Sequence, residues 1–414
     1  MKKKINHILP ALVLTASLGL TTVSCNGFLD EMPDNRTELN TDQKIAKLLV
    51  SAYADVSPNE LFELYSDNSD DSGPTYGYYK LSEQECYHWQ DTKEEYQDTP
   101  NSLWGGYYSA IAAANMALNA IEEKGNPASL DPQRGEALVC RAYCHFMLAN
   151  IFCNAYDTHA SQSLGVPYME EVETTVSPRY ERGTLEEVYR KVERDLLEGI
   201  DLISDDSYSV PKYHFTRKAA YAFAARFYLY YMKPDFSNCD RVIDFATRVL
   251  GTNPADLLRN WEALGNLSVN GNVQADAYIA SSNEANLLIS STVSNWGAIG
   301  SDYLIGPRYF HNQTLATSET CLSSGLWGSS DYFYLKPFST NGFVASILRK
   351  SGLYEGTYLY YMPVLFSTDE TLLCRAEAYA LKKMYAQSAA DITSWQRAYT
   401  RNKSVLTPEQ INTY

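Results

Sequence analysis

Aromatic side chains that fall outside any helical pattern are the first residues in this chain with a chemistry of their own. The 414 residues include 33 tyrosines, and aromatic residues make up 13% of the sequence. A phenol presents a flat apolar face and a hydroxyl at low cost in conformational entropy, which suits a surface that binds an amphipathic, polar ligand. Two stretches carry these rings, with Tyr76, Tyr78, Tyr79, Trp89 and Tyr96 in the first and Trp296, Tyr303, Tyr309, Trp327, Tyr332 and Tyr334 in the second.

Charged and amide side chains near these rings supply hydrogen-bonding groups. Carboxylates accept hydrogen bonds from ligand hydroxyls, amides accept and donate them, and the guanidinium of arginine donates them. Packing beneath a loop is the alternative role for each aromatic residue, but we expect at least one of Trp89, Trp296 and Trp327 to contact a ligand. The predicted ligand-binding set is Trp89, Tyr78, Tyr79, Asp67, Asp71, Trp296, Arg308, Tyr309, Trp327 and Tyr332.

The acidic run DNSDDSG at residues 67–73 has the clustered oxygens that calcium prefers. Counted from Asn68, Gly73 falls at the turn position of a calcium loop, but Tyr79 stands where a bidentate glutamate would close it. We therefore predict a solvated acidic loop beside a binding surface, with no bound metal and no cofactor.

Enzyme motifs are missing from the sequence. It contains no G-x-S-x-G, no H-E-x-x-H and no glycine-rich phosphate loop. The histidines are scattered, and His145 is predicted to be a satisfied core residue within a helix. The chain is therefore predicted not to be an enzyme, although its 50 acidic residues leave open a facing carboxylate pair of the kind that glycoside hydrolases use.

The N-terminus has the pattern of a bacterial lipoprotein signal. Three lysines precede an apolar run at residues 8–20, which is shorter than the ~20 residues needed to span a bilayer. A small residue, Ser24, directly precedes Cys25. We expect residues 1–24 to be a lipoprotein signal peptide, Cys25 to carry the lipid and residues 25–40 to be a tether. An ordinary cleaved signal is the alternative.

The charge of the chain argues against polyanionic partners. The formal net charge is −16, and loss of the three signal lysines makes it −19. Such a surface repels nucleic acid, so no nucleic-acid partner is expected. Seven cysteines follow Cys25 without any C-x-x-C spacing, which favours small buried apolar residues over a disulfide framework or a zinc site.

Apolar residues at three–four spacing predict the helices that must position these side chains. Such patterns cover about residues 41–64, 104–121, 137–151, 185–203, 216–231, 237–250, 368–385 and 388–399. Thr184 and Glu187 form a predicted capping box. Trp104, Trp261 and Trp395 are expected in the core. Residues 66–101 read as a long irregular segment, and residues 261–366 as short strands and loops.

Internal similarity predicts repeated helix pairs. LVCRA at residues 138–142 resembles LLCRA at residues 372–376, with a weaker copy, AARF, at 224–227. Degenerate helix–turn–helix units of this kind suggest tetratricopeptide-like pairs interrupted by insertions. The predicted fold class is mainly α, with tetratricopeptide-like helical pairs packed against an irregular, loop-rich lobe with short strands.

Six ordered sequence blocks resemble the SusD/RagB family of outer-membrane nutrient-binding lipoproteins. The blocks are CNGFLD at 25–30, LWGGYYSAI at 103–111 continuing to Asn115, EALVCRAYCHF at 136–146, GTLEEVY at 183–189, FTRKAA at 215–220 and LCRAEA at 373–378. The resemblance implies an N-terminal SusD-like helical domain at residues 41–260 with an aromatic loop at 66–101. It further implies an irregular ligand-binding lobe at 261–366 and a C-terminal helical segment at 367–414 that is short relative to the family.

The resemblance also implies a function. Such proteins are lipid-anchored on the outer face of the outer membrane, where they cover a SusC-like TonB-dependent transporter and pass oligosaccharides to it. A sugar ring has an apolar C–H face that packs on an indole or phenol. Three alternatives remain: a peptide-binding RagB-like member, a surface glycoside hydrolase, and a helical scaffold that binds only protein.

Overall fold

Amphipathic sequence patterns fold as helices close to where they are predicted. The computed structural model describes residues 39–67, 69–75, 80–175, 178–268, 273–296, 308–310, 334, 338–339, 342–343, 353–355 and 358–413. The described helices are α1 Asp42–Leu49, α2 Asn59–Leu64, α3 Leu81–Tyr87, α4 Pro100–Glu123, α5 Asp131–Phe152, α6 Leu185–Leu202, α7 Arg217–Tyr230, α8 Asn238–Leu250, α9 Trp261–Gly265, α10 Val273–Ile279, α11 Thr368–Leu381, α12 Tyr385–Tyr399 and α13 Pro408–Thr413.

Short antiparallel strands join segments that are far apart in the sequence. The strands pair as β1 with β4, β2 with β9, β3 with β8, β7 with β8, and β5 with β6. Their bounds are β1 Asp70–Asp71, β2 Asn286–Ile289, β3 Thr292–Val293, β4 Tyr309–Phe310, β5 Phe338–Ser339, β6 Gly342–Phe343, β7 Leu353–Glu355, β8 Tyr358–Tyr361 and β9 Val364–Ser367.

Side-chain caps fix where several helices begin. The Thr184 amide donates to Glu187 Oε2 at 2.9 Å and the Glu187 amide donates to Thr184 Oγ1 at 3.2 Å, so the predicted capping box is confirmed. Thr99 caps α4, where Pro100 takes the first helical position, which needs no amide hydrogen. Pro58 follows a 3₁₀ turn and separates α1 from α2, which the apolar pattern predicts as one stretch.

Antiparallel helix pairs make the body of the protein, and the fold is mainly helical as predicted. Helix α5 packs against α4 and α6, α7 against α8, and α11 against α8 and α12. A Cβ at Gly135 would lie 2.7 Å from the carbonyl oxygen of Gly199, so α5 and α6 approach backbone to backbone at glycines. Rings from α5, α7 and β9, among them Tyr143, Phe223 and Phe366, meet in the core.

A polar strap at residues 166–172 crosses α4, α5 and α6 and satisfies their buried polar groups. Arg141 Nε donates to Asp195 at 2.6 Å, and the Tyr168 hydroxyl donates to the same carboxylate at 2.7 Å. His145 accepts from the Met169 amide through Nε2, which leaves Nδ1 to donate to the Arg141 carbonyl. Burial lowers the pKa of His145 to about 3, so the ring is neutral. His145 is therefore a satisfied core residue, as predicted.

Two further sequence expectations, on helix α3 and on Trp104, differ from the structure. The segment 66–101 contains helix α3, whose buried residues are Ser82, Glu83, Glu85 and Cys86. A helix that buries carboxylates shows no apolar period, so the sequence reads as irregular. Trp104, expected in the core, is 36% exposed and packs on Tyr108 and Phe152 at the surface of α4.

Residues 41–414 form one compact unit. The domain boundaries predicted within it, at residues 260 and 366, remain predictions. The region 261–366 contains short strands as expected, together with the short helices α9 and α10. The predicted signal peptide, Cys25 and most of the tether lie outside the described residues. Within the described part of the chain, no helix combines the length and the apolar character needed to cross a membrane.

Candidate functional site

Trp89 is held at the surface by the end of helix α3. The Trp89 amide donates to the Cys86 carbonyl at 2.9 Å and the Gln90 amide donates to the Glu85 carbonyl at 2.8 Å, which is the Schellman pattern that ends many helices. In that pattern the residue after the cap adopts a left-handed conformation, and Trp89 does so with φ of 55°. Glycine is the usual residue there, because a side chain is strained at positive φ.

One face of the Trp89 indole is open to solvent. Trp89 is 72% exposed, although Tyr65 stacks on its ring with centroids 4.4 Å apart and planes 15° apart. Tyr65 lies at the C-terminal cap of α2 and is half-buried. Since Tyr65 covers one face only, the opposite face presents a flat apolar surface backed by a second ring.

Sequence reasoning did not single out Tyr65. The residue lies between the predicted helical stretch, which ends at residue 64, and the irregular segment, which begins at residue 66, so neither pattern includes it. The signal that could have identified it is its place at the junction between an apolar helix and a tyrosine-rich segment. Asp67, two residues further, is exposed as a ligand-binding carboxylate must be.

Asp71 and Arg308 tie the acidic loop to the distant β4 strand. Arg308 Nε and Nη2 donate to the two Asp71 carboxylate oxygens, each at 2.7 Å, and Asp71 pairs with Tyr309 in the β1–β4 ladder. The Arg308 guanidinium lowers the pKa of the Asp71 carboxyl, so this ion pair persists across the neutral range. Gly73, with φ of 96°, lets its amide donate back to Asp71 at 2.8 Å.

Tyr309 connects this ion pair to the helix that carries Trp89. The Arg308 guanidinium lies 4.9 Å from the Tyr309 ring centroid. The same ring packs against Tyr87 at 4.7 Å and against His88 at 5.9 Å. Tyr309 is buried. The structure therefore brings Asp71, Arg308 and Tyr309 together, as a support beneath the end of α3.

Trp296 is buried, with only 7% of its surface exposed, so it presents no open face to a ligand. The neighbouring Asn295 amide donates to Asp98 at 2.8 Å, and Gln97 Nε2 donates to the Asn295 side-chain oxygen at 2.8 Å. These bonds place Trp296 under the segment that follows Trp89, where it supports the loop. Of the other predicted site residues, Tyr78, Tyr79, Trp327 and Tyr332 lie outside the described residues.

A polar cleft of about 570 Å³ opens further along the same loop. Tyr96, which is 52% exposed, lines it together with Tyr360, Gln97, Asn101 and Asp55. The cleft combines phenol rings with amide and carboxylate groups, which is the chemistry predicted for contact with a hydroxylated ligand. The loop between α3 and α4 thus carries an aromatic residue on each of two surfaces, at Trp89 and at Tyr96.

Buried carboxyl groups underlie this loop. Glu60, Glu83 and Asp98 are buried, and Lys80 Nζ lies 4.0 Å from a carboxylate oxygen of both glutamates. Burial raises the pKa of all three acids, and the neighbouring Asp98 raises that of Glu60 further. Across the part of the chain that the structure describes, no group of histidines, cysteines and acids is arranged to hold a metal ion.

Comparison with known families identifies the group to which this architecture belongs. Residues 27–229 match the sequence profile of the SusD-like family, which is described as starch-binding and associating with the outer membrane. Residues 27–229 of the chain belong to the SusD-like family. The match includes the loop that carries Trp89 and Tyr96 and the helix pairs that follow it. No curated protein sequence is significantly similar to this SusD-like chain.

Solved structures share the fold at low sequence identity. A SusD superfamily protein from Bacteroides vulgatus is 18% identical with a TM-score of 0.61, covering 89% of this chain and 82% of its own. One from Bacteroides fragilis is 15% identical with a TM-score of 0.64, covering 90% and 83%. One from Bacteroides thetaiotaomicron is 16% identical with a TM-score of 0.60, covering 89% and 82%. At these identities the likeness establishes the fold of this SusD-like chain.

Proposed function

We propose that this protein captures oligosaccharides at the cell surface through the Trp89 surface, defined as Trp89 with its stacking partner Tyr65. The observation that carries the proposal is a tryptophan kept in a strained backbone position with one ring face open. Exposing a large apolar ring is unfavourable in water, and positive φ adds to that cost. Binding of a ligand to the open ring face would explain both the exposure of Trp89 and its positive φ.

Sugar binding fits the chemistry of this surface better than the binding of a charged ligand. The apolar C–H face of a pyranose packs on an indole, and stacking of this kind contributes ~1–3 kcal/mol per ring in the comparable case of nucleobases. Asp67 is exposed two residues from Tyr65 and can accept hydrogen bonds from sugar hydroxyls. The family description as starch-binding supports the same ligand class.

We further propose that the protein is not an enzyme, is anchored by a lipid on Cys25 and delivers its ligand to a SusC-like TonB-dependent transporter. The family description of association with the outer membrane supports the location. The lysine-rich start, the short apolar run and Ser24-Cys25 support the anchor. A lipidated N-terminus holds a folded body at a membrane through its acyl chains, without a spanning helix.

Titration of the full chain in detergent against a panel of neutral oligosaccharides tests the binding function. Trp89→Ala is expected to weaken the tightest interaction at least tenfold, equivalent to ~1.4 kcal/mol, because the stacked ring is lost. Trp104→Ala is the matched control, since Trp104 is also an exposed tryptophan but lies on α4 beside Tyr108 and Phe152.

The proposal requires Trp89→Ala and Trp104→Ala to differ in their affinity for the oligosaccharide. Calorimetry should give Trp104→Ala the affinity of the wild type and Trp89→Ala a weaker one. An unchanged affinity in Trp89→Ala, or the absence of binding to every oligosaccharide in the panel, would refute capture at this surface.

A further inference from the structure

A cavity that is more enclosed than the Tyr96 cleft lies apart from the Trp89 surface, between helices and strands. This cavity has a volume of about 330 Å³. Its walls come from α4 and α5 through Tyr107 and Tyr143, from α7 through Arg226, and from β8 through Tyr361. Phe62 also lines the cavity while remaining 41% exposed, so the entrance lies beside Phe62.

Two tyrosine hydroxyls in the cavity wall are without a hydrogen-bond partner among the described residues. Tyr107 and Tyr278 line the cavity, and neither hydroxyl makes a hydrogen bond within the described part of the protein. Burial raises the pKa of both phenols. Buried hydroxyls in native proteins are normally satisfied by a protein group, a water molecule or a ligand.

Other polar groups in the wall show the contrast. The Tyr53 hydroxyl donates to Glu136 at 2.7 Å and accepts from the Phe215 amide at 2.7 Å. The Tyr361 hydroxyl accepts from Asn59 Nδ2 at 3.3 Å. Tyr53 and Tyr361 are thus hydrogen-bonded within the protein, whereas Tyr107 and Tyr278 have no such bond among the described residues.

Charge in the cavity wall is already neutralised. Arg226 donates through Nε and Nη2 to the two carboxylate oxygens of Glu370, and through Nη2 to the Leu365 carbonyl at 2.6 Å. Its guanidinium also lies 4.0 Å from the Phe366 ring centroid. An ionic ligand would enter a low-dielectric space without a free counter-charge, which is unfavourable. The cavity wall therefore favours a neutral ligand over an ionic one.

We propose that this cavity is a binding site for a single neutral polyol of monosaccharide size, which packs on the rings of Phe62 and Phe215 and hydrogen-bonds Tyr107 and Tyr278. Its volume is at the lower limit of pockets that hold small ligands, about 300 Å³, so an oligosaccharide does not fit inside. The inference does not depend on ligand capture at Trp89, because the two sites share no residue.

Saturation-transfer NMR and calorimetry on the full chain in detergent test this site, with D-glucose, D-galactose and D-mannose as probes. D-glucuronate and D-glucosamine are the charged counterparts. At least one neutral sugar is expected to bind, and its charged counterparts at least tenfold more weakly. Tyr107→Phe and Tyr278→Phe keep the ring and fill the same volume, so both variants should fold. Each variant is expected to bind the neutral sugar roughly fivefold more weakly, because one hydrogen bond is lost.

Tyr180→Phe is the matched control, because Tyr180 is an exposed tyrosine whose hydroxyl bonds Glu173 outside the cavity. Its affinity for the neutral sugar should equal that of the wild type. A crystal soaked in the best probe should show that sugar against Tyr107 and Tyr278.

Three results would overturn the site: no neutral sugar binds, the charged sugars bind equally well, or the soaked cavity contains only water. Oligosaccharide titration of the Tyr107→Phe, Tyr278→Phe double variant keeps the two proposals apart. Oligosaccharide binding that survives while monosaccharide binding weakens supports two sites. Failure of oligosaccharide binding in the wild type with monosaccharide binding intact refutes the Trp89 surface alone.

Discussion

Trp89 combines an unfavourable backbone conformation with an unfavourable exposure. The left-handed position after α3 is one that glycine adopts without strain, and Trp89 occupies it with most of its indole in water. Residues held in such conformations cluster at binding sites, where the surrounding structure maintains them. Here the two Schellman hydrogen bonds and the stack on Tyr65 maintain it.

Replacing Trp89 by glycine and by alanine separates backbone strain from ring contacts. Both variants lose the stack on Tyr65, but only alanine keeps a side chain at positive φ. Trp89→Gly is therefore expected to have a free energy of unfolding ~1 kcal/mol higher than Trp89→Ala. Urea denaturation of the two variants measures the difference. Equal stabilities would show that position 89 carries no backbone strain in solution.

The sequence predicts residue types for the site better than it predicts their exposure. Trp89 is open, but Trp296 is buried, because the Asn295 and Asp98 contacts draw its segment against the loop. No periodicity distinguishes the two in irregular chain. The Asp71–Arg308 pair joins positions 237 residues apart, so spacing could not reveal it.

Helix α3 has buried carboxyl groups on and around its inner face. Its inner face carries Glu83 and Glu85, and Glu60 and Asp98 from neighbouring segments are buried as well. Burial raises the pKa of Glu60, Glu83 and Asp98, and the nearby positive charge of Lys80 offsets part of that shift. The stability of helix α3, which carries Trp89 at its end, is therefore expected to depend on pH.

Stability should depend on pH through Glu60. Its pKa is raised in the folded state, first by burial and then by Asp98, so the native protein holds this proton more tightly than the unfolded chain does. The resulting stabilisation is complete below the unfolded pKa of ~4.3 and is lost as pH rises through the folded pKa. Glu60→Gln cannot ionise, so its free energy of unfolding is not expected to fall in this way. The loss avoided is ~1.4 kcal/mol for each unit of the pKa shift.

Denaturation of the wild type and Glu60→Gln across the acid to mildly alkaline range measures this effect. Glu122→Gln is the control, because Glu122 is exposed on α4. The wild type and the control should lose stability together as pH rises, while Glu60→Gln loses less. Parallel profiles for all three proteins would contradict a buried, proton-holding Glu60.

Amphipathic helices could be predicted from the sequence, and helices with other buried faces could not. Val188, Val192 and Leu196 repeat along α6 at the helical period, and the element appears where expected. Helix α3 buries carboxylates, and α9 is only five residues long, so neither shows a recognisable apolar stripe. The strand pairings β1–β4 and β2–β9 also escape prediction, because they join distant segments through two to four residues.

The whole protein combines a helical body, an acidic surface and a predicted lipid anchor. Its formal net charge of −16 fits a partner that is neutral rather than polyanionic. An exposed aromatic ring can bind an oligosaccharide directly from the medium. This agrees with the proposed location of the protein on the outer face of the outer membrane.

Cys25→Ala tests the anchor in cells that make the full chain. The wild type should sediment with membranes and incorporate labelled palmitate, because acyl chains on Cys25 bury their methylenes in the bilayer. The variant should do neither. Cys153→Ala, which alters a half-buried thiol in α5's C-terminal cap, is the control and should behave like the wild type. Membrane retention and labelling of Cys25→Ala would contradict lipidation at this residue.

The crystal structure of the protein with its tightest oligosaccharide examines the Trp89 surface most directly. A sugar ring is expected against the indole face opposite Tyr65, with ring centres ~4.5–5 Å apart, as in offset stacking. An oligosaccharide bound without touching Trp89, or an indole whose open face is covered by protein in the complex, would contradict capture at this surface.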